Sequence, residues 1–456
     1  MTGKTVLIFG MARSGVAAAQ LLAKAGAMVR VADRKTKSEL GEAVAPLSGL
    51  CNIDWRLGEP AEMLLGGVDL MVLSPGIPED HPAVLEARLR KIPVMGEIEL
   101  SYRFARGKIV AITGTNGKTT TTSLVGEIFK NAGKQTYVVG NIGDPFSAVA
   151  ADTADEDIIV CEVSSFQLET VEKFHPFIAV ILNITEDHLD RHGSMERYAA
   201  LKARVFENQA LGDALVLNYD DPALRQMIDL TKSQVVWFSR TQVPPYGAYV
   251  KDDFIVFGSP GEERQICEAH EVRIPGPHNL ENALAAAAIA MIAEIPPPVI
   301  RHSLRTFKGV EHRLELVRDL NGVRFINDSK GTNADSTVKA VDSMDRPTAI
   351  ILGGYDKHVD FASLCKRIAD NPYIRHAVLI GATASQFERQ LAEAGFTAVR
   401  SAGEDFEAAI KMAYSLVRPG GCVLLSPASA SFGMFADFEQ RGAEYKRIVM
   451  AMTDGA

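Results

Sequence analysis

Cysteine is scarce in this chain and basic charge is in deficit, and each shortage excludes a class of function. Five cysteines, Cys51, Cys161, Cys267, Cys365 and Cys422, lie scattered through 456 residues. None falls in a C-x-x-C or Cys/His spacing, so neither a disulfide framework nor a zinc site is indicated, and the reducing cytosol is the simplest home. The 48 lysines and arginines are outnumbered by 57 aspartates and glutamates, giving a formal charge of −9. Without a basic surplus to neutralise a phosphate backbone, a nucleic-acid partner is not expected. Long apolar runs are missing too. The longest, Ala283 to Ala293, has eleven residues, too short for a bilayer and suited to a buried helix. The start, MTGKTVLIFG, passes from charge directly into a strand, without a signal-peptide layout.

What is present is ordinary for a folded protein, with 47% hydrophobic and 23% charged residues. The length suggests two to four domains. The first hundred residues alternate strand-like and helix-like segments (TVLIFG, SGVAAAQLLAKAG, MVRVAD, VDLMVLSPG), the pattern of a parallel sheet covered by helices. GMARSG, from Gly10 to Gly15, resembles a dinucleotide fingerprint in which Ala12 replaces the middle glycine. Asp33 ends the second strand, where a ribose or sugar contact is expected, so a nucleotide-sugar diphosphate fits better than NAD; a packing turn with no ligand is the plainer alternative. IPVMGEIEL, around Ile92 to Leu100, reads as a linker. Gln234 to Glu271 reads as a side sheet, followed by a helix from about Asn279 to Glu294 that IPPP stops. TFKGVEHRLE reads as a second linker before a third α/β alternation.

The central signal is KIVAITGTNGKTT, Lys108 to Thr120. A strand feeds a Gly-rich turn, and Lys118 and Thr119 open a helix. Such a turn points backbone N–H groups at an anion, aided by the positive helix end. Lys118 supplies a mobile cation for outer phosphates, and the Thr119 hydroxyl can ligate Mg²⁺. Ile112 stands where the usual eight-residue pattern has its first glycine. Glu162 ends the strand DIIVCE, and His188 follows another in NITEDHLDRHG, both at strand ends where metal or phosphate contacts gather. Lys202 lies within the apolar arc of Tyr198, Leu201, Val205 and Phe206. It either snorkels past that surface or is a desolvated amine with a lowered pKa. Asn279 and Asn282, beside His278, share a helix face; capping explains one, a purine or phosphate contact both. Arg313 is placed to approach a γ-phosphate. Asp328, Lys330, Thr332 and Lys357 follow strands of the third region.

GTNGKTT, EVSSFQLE, NITEDHLDRHG, the Lys202 helix, PGPHNLENA, EHRLE, NDSKGTN, GGYDKHVDF and LLSPASASFGMF occur in that order. Together they resemble the Mur ligases, ATP-dependent amide-forming enzymes of bacterial peptidoglycan synthesis, over essentially the whole chain. The resemblance implies an α/β protein of three domains, each a mainly parallel sheet with flanking helices, the central one a P-loop-type ATPase fold. Residues 1–96 would form a Rossmann-like UDP-sugar domain, 97–308 the ATP-binding domain, and 309–456 a Rossmann-like amino-acid domain. It assigns ATP to Gly114, Thr115, Asn116, Gly117, Lys118, Thr119, Thr120, Asn279, Asn282, Arg313 and Asp328. It assigns the UDP-sugar to Ser14, Asp33, Arg34, Gly76, Asn141 and His188, with Ser74 and Pro75 in the same turn. D-Glutamate falls to Thr332, Lys357, Ser431 and Phe438. Lys118, Glu162, His188 and Lys202 would be catalytic, with Thr119, Glu162, His188 and Lys202 holding two Mg²⁺ ions and Lys202 carrying a CO₂-derived carbamate. The implied partners are UDP-N-acetylmuramoyl-L-alanine, D-glutamate and ATP, with no nucleic acid and no membrane span, for a cytoplasmic monomer. A related ligase with another substrate, such as a folylpolyglutamate synthase, and a P-loop switch protein are the rival readings.

Overall fold

A computed structural model describes residues 1–187, 189–356 and 359–453. The chain forms two compact units, Met1–Arg273 with Asn279–Phe307, and Ile274–His278 with Lys308 onward.

The first unit holds two sheets. Its N-terminal sheet has five parallel strands, ordered Ile53–Leu57, Met28–Asp33, Thr5–Phe9, Leu70–Leu73, Val94–Gly96. The order reverses beside Thr5–Phe9, so the loops after Phe9, Asp33 and Leu73 meet at one edge, where ligands of open α/β sheets sit. The helix Arg13–Lys24 packs closely there. A Cβ on Gly15 would lie 1.9 Å from the Gly10 carbonyl oxygen, so only glycine fits.

The segment read as a linker is structured. Val94–Gly96 is the fifth strand, and Glu97–Phe104 is a helix that buries Glu97, Ile98, Glu99, Leu100 and Ser101. Its acidic residues mislead because Glu99 is not solvated: its carboxylate accepts the backbone N–H groups of Glu172, Lys173 and Phe174 at 2.9, 2.9 and 3.0 Å.

The second sheet has nine strands. Thr136–Gly140, Ile158–Glu162, Lys108–Thr113, Ile178–Ile181, Ala214–Asn218, Gln234–Ser239 and Gly247–Lys251 pair in parallel, in that order. Phe254–Gly258 and Arg264–Glu268 then extend the edge antiparallel. The expected side sheet is therefore the edge of the central one, joined through the parallel pairing of Gln234–Ser239 with Ala214–Asn218. The alanine-rich helix Pro277–Ile292 buries Ala283 through Ala290, as a helix apolar on all sides must.

The second unit has one six-stranded sheet, ordered Glu315–Leu320, Val323–Asn327, Cys422–Leu425, Thr348–Gly353, Ile374–Ile380, Val399–Ser401. Only the first pairing is antiparallel. Among the described residues, no helix is long and apolar enough to cross a membrane.

Candidate active site

The strand Lys108–Thr113 ends in the phosphate-loop turn, and the helix Lys118–Asn131 begins directly after it. Gly117 caps that helix at φ +81°, in the left-handed region that favours glycine. A Cβ there would also meet the Asn282 Oδ1 at 2.3 Å. Asn282 is held in turn: its Oδ1 accepts from the Thr121 hydroxyl at 3.2 Å, and its amide donates to the Asn279 Oδ1 at 3.1 Å. The two asparagines thus brace the start of the phosphate-loop helix rather than serving as caps of their own. His278 falls in the other unit, where burial pulls its pKa down to about 4.

The turn is fastened to the end of a neighbouring strand. The Thr115 N–H donates to the Asn183 carbonyl at 3.0 Å, and the Asn116 N–H to the Asn183 Oδ1 at 2.8 Å. Two N–H groups that the motif assigns to an anion are therefore engaged within the protein. The Thr115 hydroxyl also bonds the Thr185 carbonyl.

Two lysines converge on this turn. Lys118 Nζ donates to the carbonyls of Gly114 and Thr115, both at 2.8 Å. Lys202, from the helix Met195–Ala203, donates to the same Gly114 oxygen at 2.9 Å. Its amine lies 4.4 Å from the centre of the Tyr198 ring. Lys202 is only 1% exposed, so it does not snorkel. Burial drives its pKa well below the ordinary lysine value and the charge on Lys118 adds to the effect, while Asp187 opposes it.

Glu162 is buried at the end of its strand. Its Oε1 accepts from the Asn141 amide at 2.7 Å, while its Oε2 is buried without a hydrogen-bond partner. A buried carboxylate oxygen left bare is costly and suits an oxygen-seeking cation. Among the described residues, no three His, Cys, Asp or Glu side chains gather into a metal cage. His188 lies outside the described residues.

At the N-terminal sheet edge, Asp33 accepts the Met11 N–H at 2.7 Å and the Lys35 N–H at 2.9 Å, shaping the turn ahead of the helix whose first turn holds Ser14. Arg34 and Gly76 are exposed, and Ser74 is buried.

In the second unit, Asp328 is fully buried. It accepts from Arg313 at 3.2 Å and Ser426 at 2.7 Å, and burial raises its pKa despite the guanidinium. Arg441, 1% exposed, donates to the carbonyls of Ser329 and Ser429 at 2.8 and 3.1 Å. It thereby pins together the loops carrying Thr332 and Ser431. The Ser329 hydroxyl donates to the Phe438 carbonyl at 2.8 Å. Lys357 lies outside the described residues.

Three family models match this chain. Residues 4–96 match the Mur ligase MurD-like N-terminal domain, 112–290 the Mur ligase middle domain, and 312–429 the Mur ligase glutamate ligase domain. A UDP-N-acetylmuramoylalanine--D-glutamate ligase from Thermoanaerobacter sp. (strain X514) is 46% identical over 451 residues, covering 98% of each chain. The chain belongs to the Mur ligase family. Among solved structures it resembles the UDP-N-acetylmuramate-alanine ligase MurC from Thermotoga maritima, with a TM-score of 0.64 at 18% identity over 98% of this chain and 99% of that one. It also resembles the MurF ligase from Thermotoga maritima in complex with ADP, with a TM-score of 0.58 at 16% identity, covering 92% and 95%. Both show the shared three-domain fold.

Within this Mur ligase, the structure brings Gly114, Lys118, Lys202, Asn279 and Asn282 around one turn. Glu162 with Asn141 lies one strand away from that turn in the sheet. Arg313, Asp328, Thr332, Ser431 and Phe438 belong to the second unit. Asn183 and Arg441 were missed. Asn183 carries a faint signal, being polar at a strand end; Arg441 sits in a charged helix that looks solvated.

Proposed function

We propose that this chain joins the amine of D-glutamate to the carboxyl of UDP-N-acetylmuramoyl-L-alanine, converting ATP to ADP and phosphate, in the cytoplasmic synthesis of peptidoglycan precursors. The observation carrying the reading is the 46% identity, across 98% of both chains, to a UDP-N-acetylmuramoylalanine--D-glutamate ligase. The phosphate-loop geometry supports it. With this reading goes a division of labour: residues 1–96 for the UDP-sugar, 97–308 for ATP, and 309–456 for the amino acid.

A free carboxylate is a poor acyl donor because its leaving group would be oxide. Attack by a substrate carboxylate oxygen on the γ-phosphorus breaks the bond to ADP and yields an acyl phosphate. The unprotonated D-glutamate amine then adds to the carbonyl carbon, and inorganic phosphate leaves with the C–O bonding pair. Lys118 would offset charge on the γ-phosphoryl as it transfers. Asn279 and Asn282 support the helix that presents Lys118. Thr332, Lys357, Ser431 and Phe438 would orient the dicarboxylate, and Ser14, Asp33, Arg34, Gly76 and Asn141 the UDP-sugar.

Mg²⁺, when bound, would neutralise phosphate charge and polarise the γ-phosphoryl. Thr119 and Glu162 would hold one ion, in keeping with the bare Glu162 Oε2; Lys202 and His188 would hold a second. For that, Lys202 must become an oxygen donor. Its buried amine, depleted of protons, would add its lone pair to the carbon of CO₂ and lose a proton, leaving a carbamate.

The test is isotopic. With ¹⁸O in the carboxylate of the UDP-sugar substrate, one labelled oxygen is expected in the released phosphate. Unlabelled phosphate would remove the acyl-phosphate route.

A further inference from the structure

Between the loop that follows Glu162 and the helix that carries Lys202 lies a buried cluster that none of the roles above uses. His192, 1% exposed, shares a hydrogen bond of 3.0 Å between its Nε2 and the Ser165 hydroxyl. Its Nδ1 lies 3.6 Å from the Glu169 Oε1. The imidazole stacks on Tyr198, with centroids 5.3 Å apart at 26°, and its centroid lies 5.2 Å from that of Phe166, tilted by 31°. Glu169 is also buried and pairs with the Arg191 guanidinium at 2.7 Å on its Oε2. Arg191 lies over the Phe166 ring at 4.6 Å and reaches the Ile77 carbonyl at 3.4 Å. That carbonyl belongs to the turn proposed for the UDP-sugar.

We infer that His192, held by Glu169, is a positioning residue that sets where Glu162 and Lys202 stand relative to the phosphate loop. The inference rests on the ATP-site reading given above. The physical route has two arms. One runs through Ser165, three residues beyond Glu162, and fixes the loop at that strand end. The other runs through the Tyr198 ring, which His192 contacts by stacking and which covers the Lys202 amine. The Tyr198 hydroxyl also lies 3.3 Å from the Thr115 hydroxyl in the phosphate loop. A single imidazole thus ties together the two supports from which the oxygen donors project. Buried, hydrogen-bonded through Nε2 and with Nδ1 facing the Glu169 carboxylate, it is fixed in orientation, and outer partners of this kind determine how well an ion is held. Arg191 extends the same fastening to the UDP-sugar turn, linking the Ile77 carbonyl to the Glu169 carboxylate through one guanidinium.

His192→Phe keeps an aromatic ring between Phe166 and Tyr198 and removes both ring nitrogens. His192→Gln restores one polar contact toward Ser165. Each folded variant is titrated with Mn²⁺ in the presence of ADP by electron paramagnetic resonance, and its kcat and KM values are measured separately. His192→Phe is expected to melt near the wild-type temperature. It should lose roughly tenfold or more in Mn²⁺–ADP affinity and lose kcat with the KM for the UDP-sugar held, while His192→Gln regains part of the loss. Mn²⁺–ADP affinity and kcat within about twofold of wild type in folded His192→Phe would overturn the inference. If His192→Phe does not fold, Glu169→Gln carries the same expectation for Mn²⁺–ADP affinity, and unchanged ion affinity in that variant would equally overturn the inference. The Mn²⁺ titration contains neither UDP-sugar nor D-glutamate, so a wrong substrate assignment leaves its result standing. A wild-type protein that binds no Mn²⁺–ADP would overturn both this inference and the ATP-site reading.

Discussion

Lys118 and Lys202 donate to one oxygen, the Gly114 carbonyl, at 2.8 and 2.9 Å. Two ammonium groups sharing a carbonyl repel, and the buried one yields. Lys202 therefore has a folded pKa well below its ordinary value, from burial first and Lys118 second. Unfolded, it titrates near about 10.4. Between the folded and unfolded pKa values the unfolded chain binds more protons, so the cost to stability is present at neutral pH and is relieved as pH rises through that window. Lys202→Met should melt a few degrees higher at neutral pH in CO₂-free buffer, with the gain shrinking toward about pH 10.4. Thermal melts across pH check this; a pH-independent gain, or a loss at neutral pH, contradicts it.

Gly117 and Asn282 give a stability prediction. Gly117→Ala must place a methyl 2.3 Å from the Asn282 Oδ1 and hold alanine at φ +81°. The expected cost is about 2–3 kcal/mol. In an Asn282→Ala background that clash disappears, leaving the backbone strain and a close contact with the Leu182 Cδ1 at 3.3 Å. The two changes together should cost roughly 1 kcal/mol less than their sum. Denaturant titrations of the four proteins decide it, and simple additivity would show that the contact is not felt.

Lys118→Ala should leave the fold intact, because the side chain is partly exposed and its amine bonds to the carbonyls of its own turn. Turnover should fall by roughly 10²–10³-fold or more. Phosphate release by a folded variant is the measurement, and near-normal rates would remove the phosphate-loop assignment.

Much of this site was legible because its demands are local. Gly117 is read from the turn it must make, and Lys202 from its place within an apolar arc on one helix. What stayed hidden depends on distant partners. Asn183 fastens the phosphate loop from 67 residues away, and Arg441 donates to a carbonyl 112 residues distant. Glu99 looked like part of a solvated linker because nothing near it in sequence shows that its carboxylate gathers N–H groups more than 70 residues on. The edge strands Phe254–Gly258 and Arg264–Glu268 were read correctly as β, but strand pattern alone does not say which sheet they join.

The carbamate proposed for Lys202 would make activity depend on dissolved CO₂. Lys202→Ala should be inactive, and short carboxylic acids should partly restore it by supplying an oxygen anion to the vacated space. ¹³C-bicarbonate should produce a carbamate resonance in wild type that is absent from the variant. A free ammonium at Lys202 in an active, substrate-bound enzyme contradicts the assignment.

The most direct measurement is phosphate release with ATP and UDP-N-acetylmuramoyl-L-alanine across a panel of amino acids, D-glutamate and L-glutamate among them. Turnover is expected only when ATP, the UDP-sugar and D-glutamate are all present, with formation of an amide-linked product. Turnover that proceeds without the UDP-sugar or the amino acid, or that prefers another amino acid, would contradict the proposed ligase.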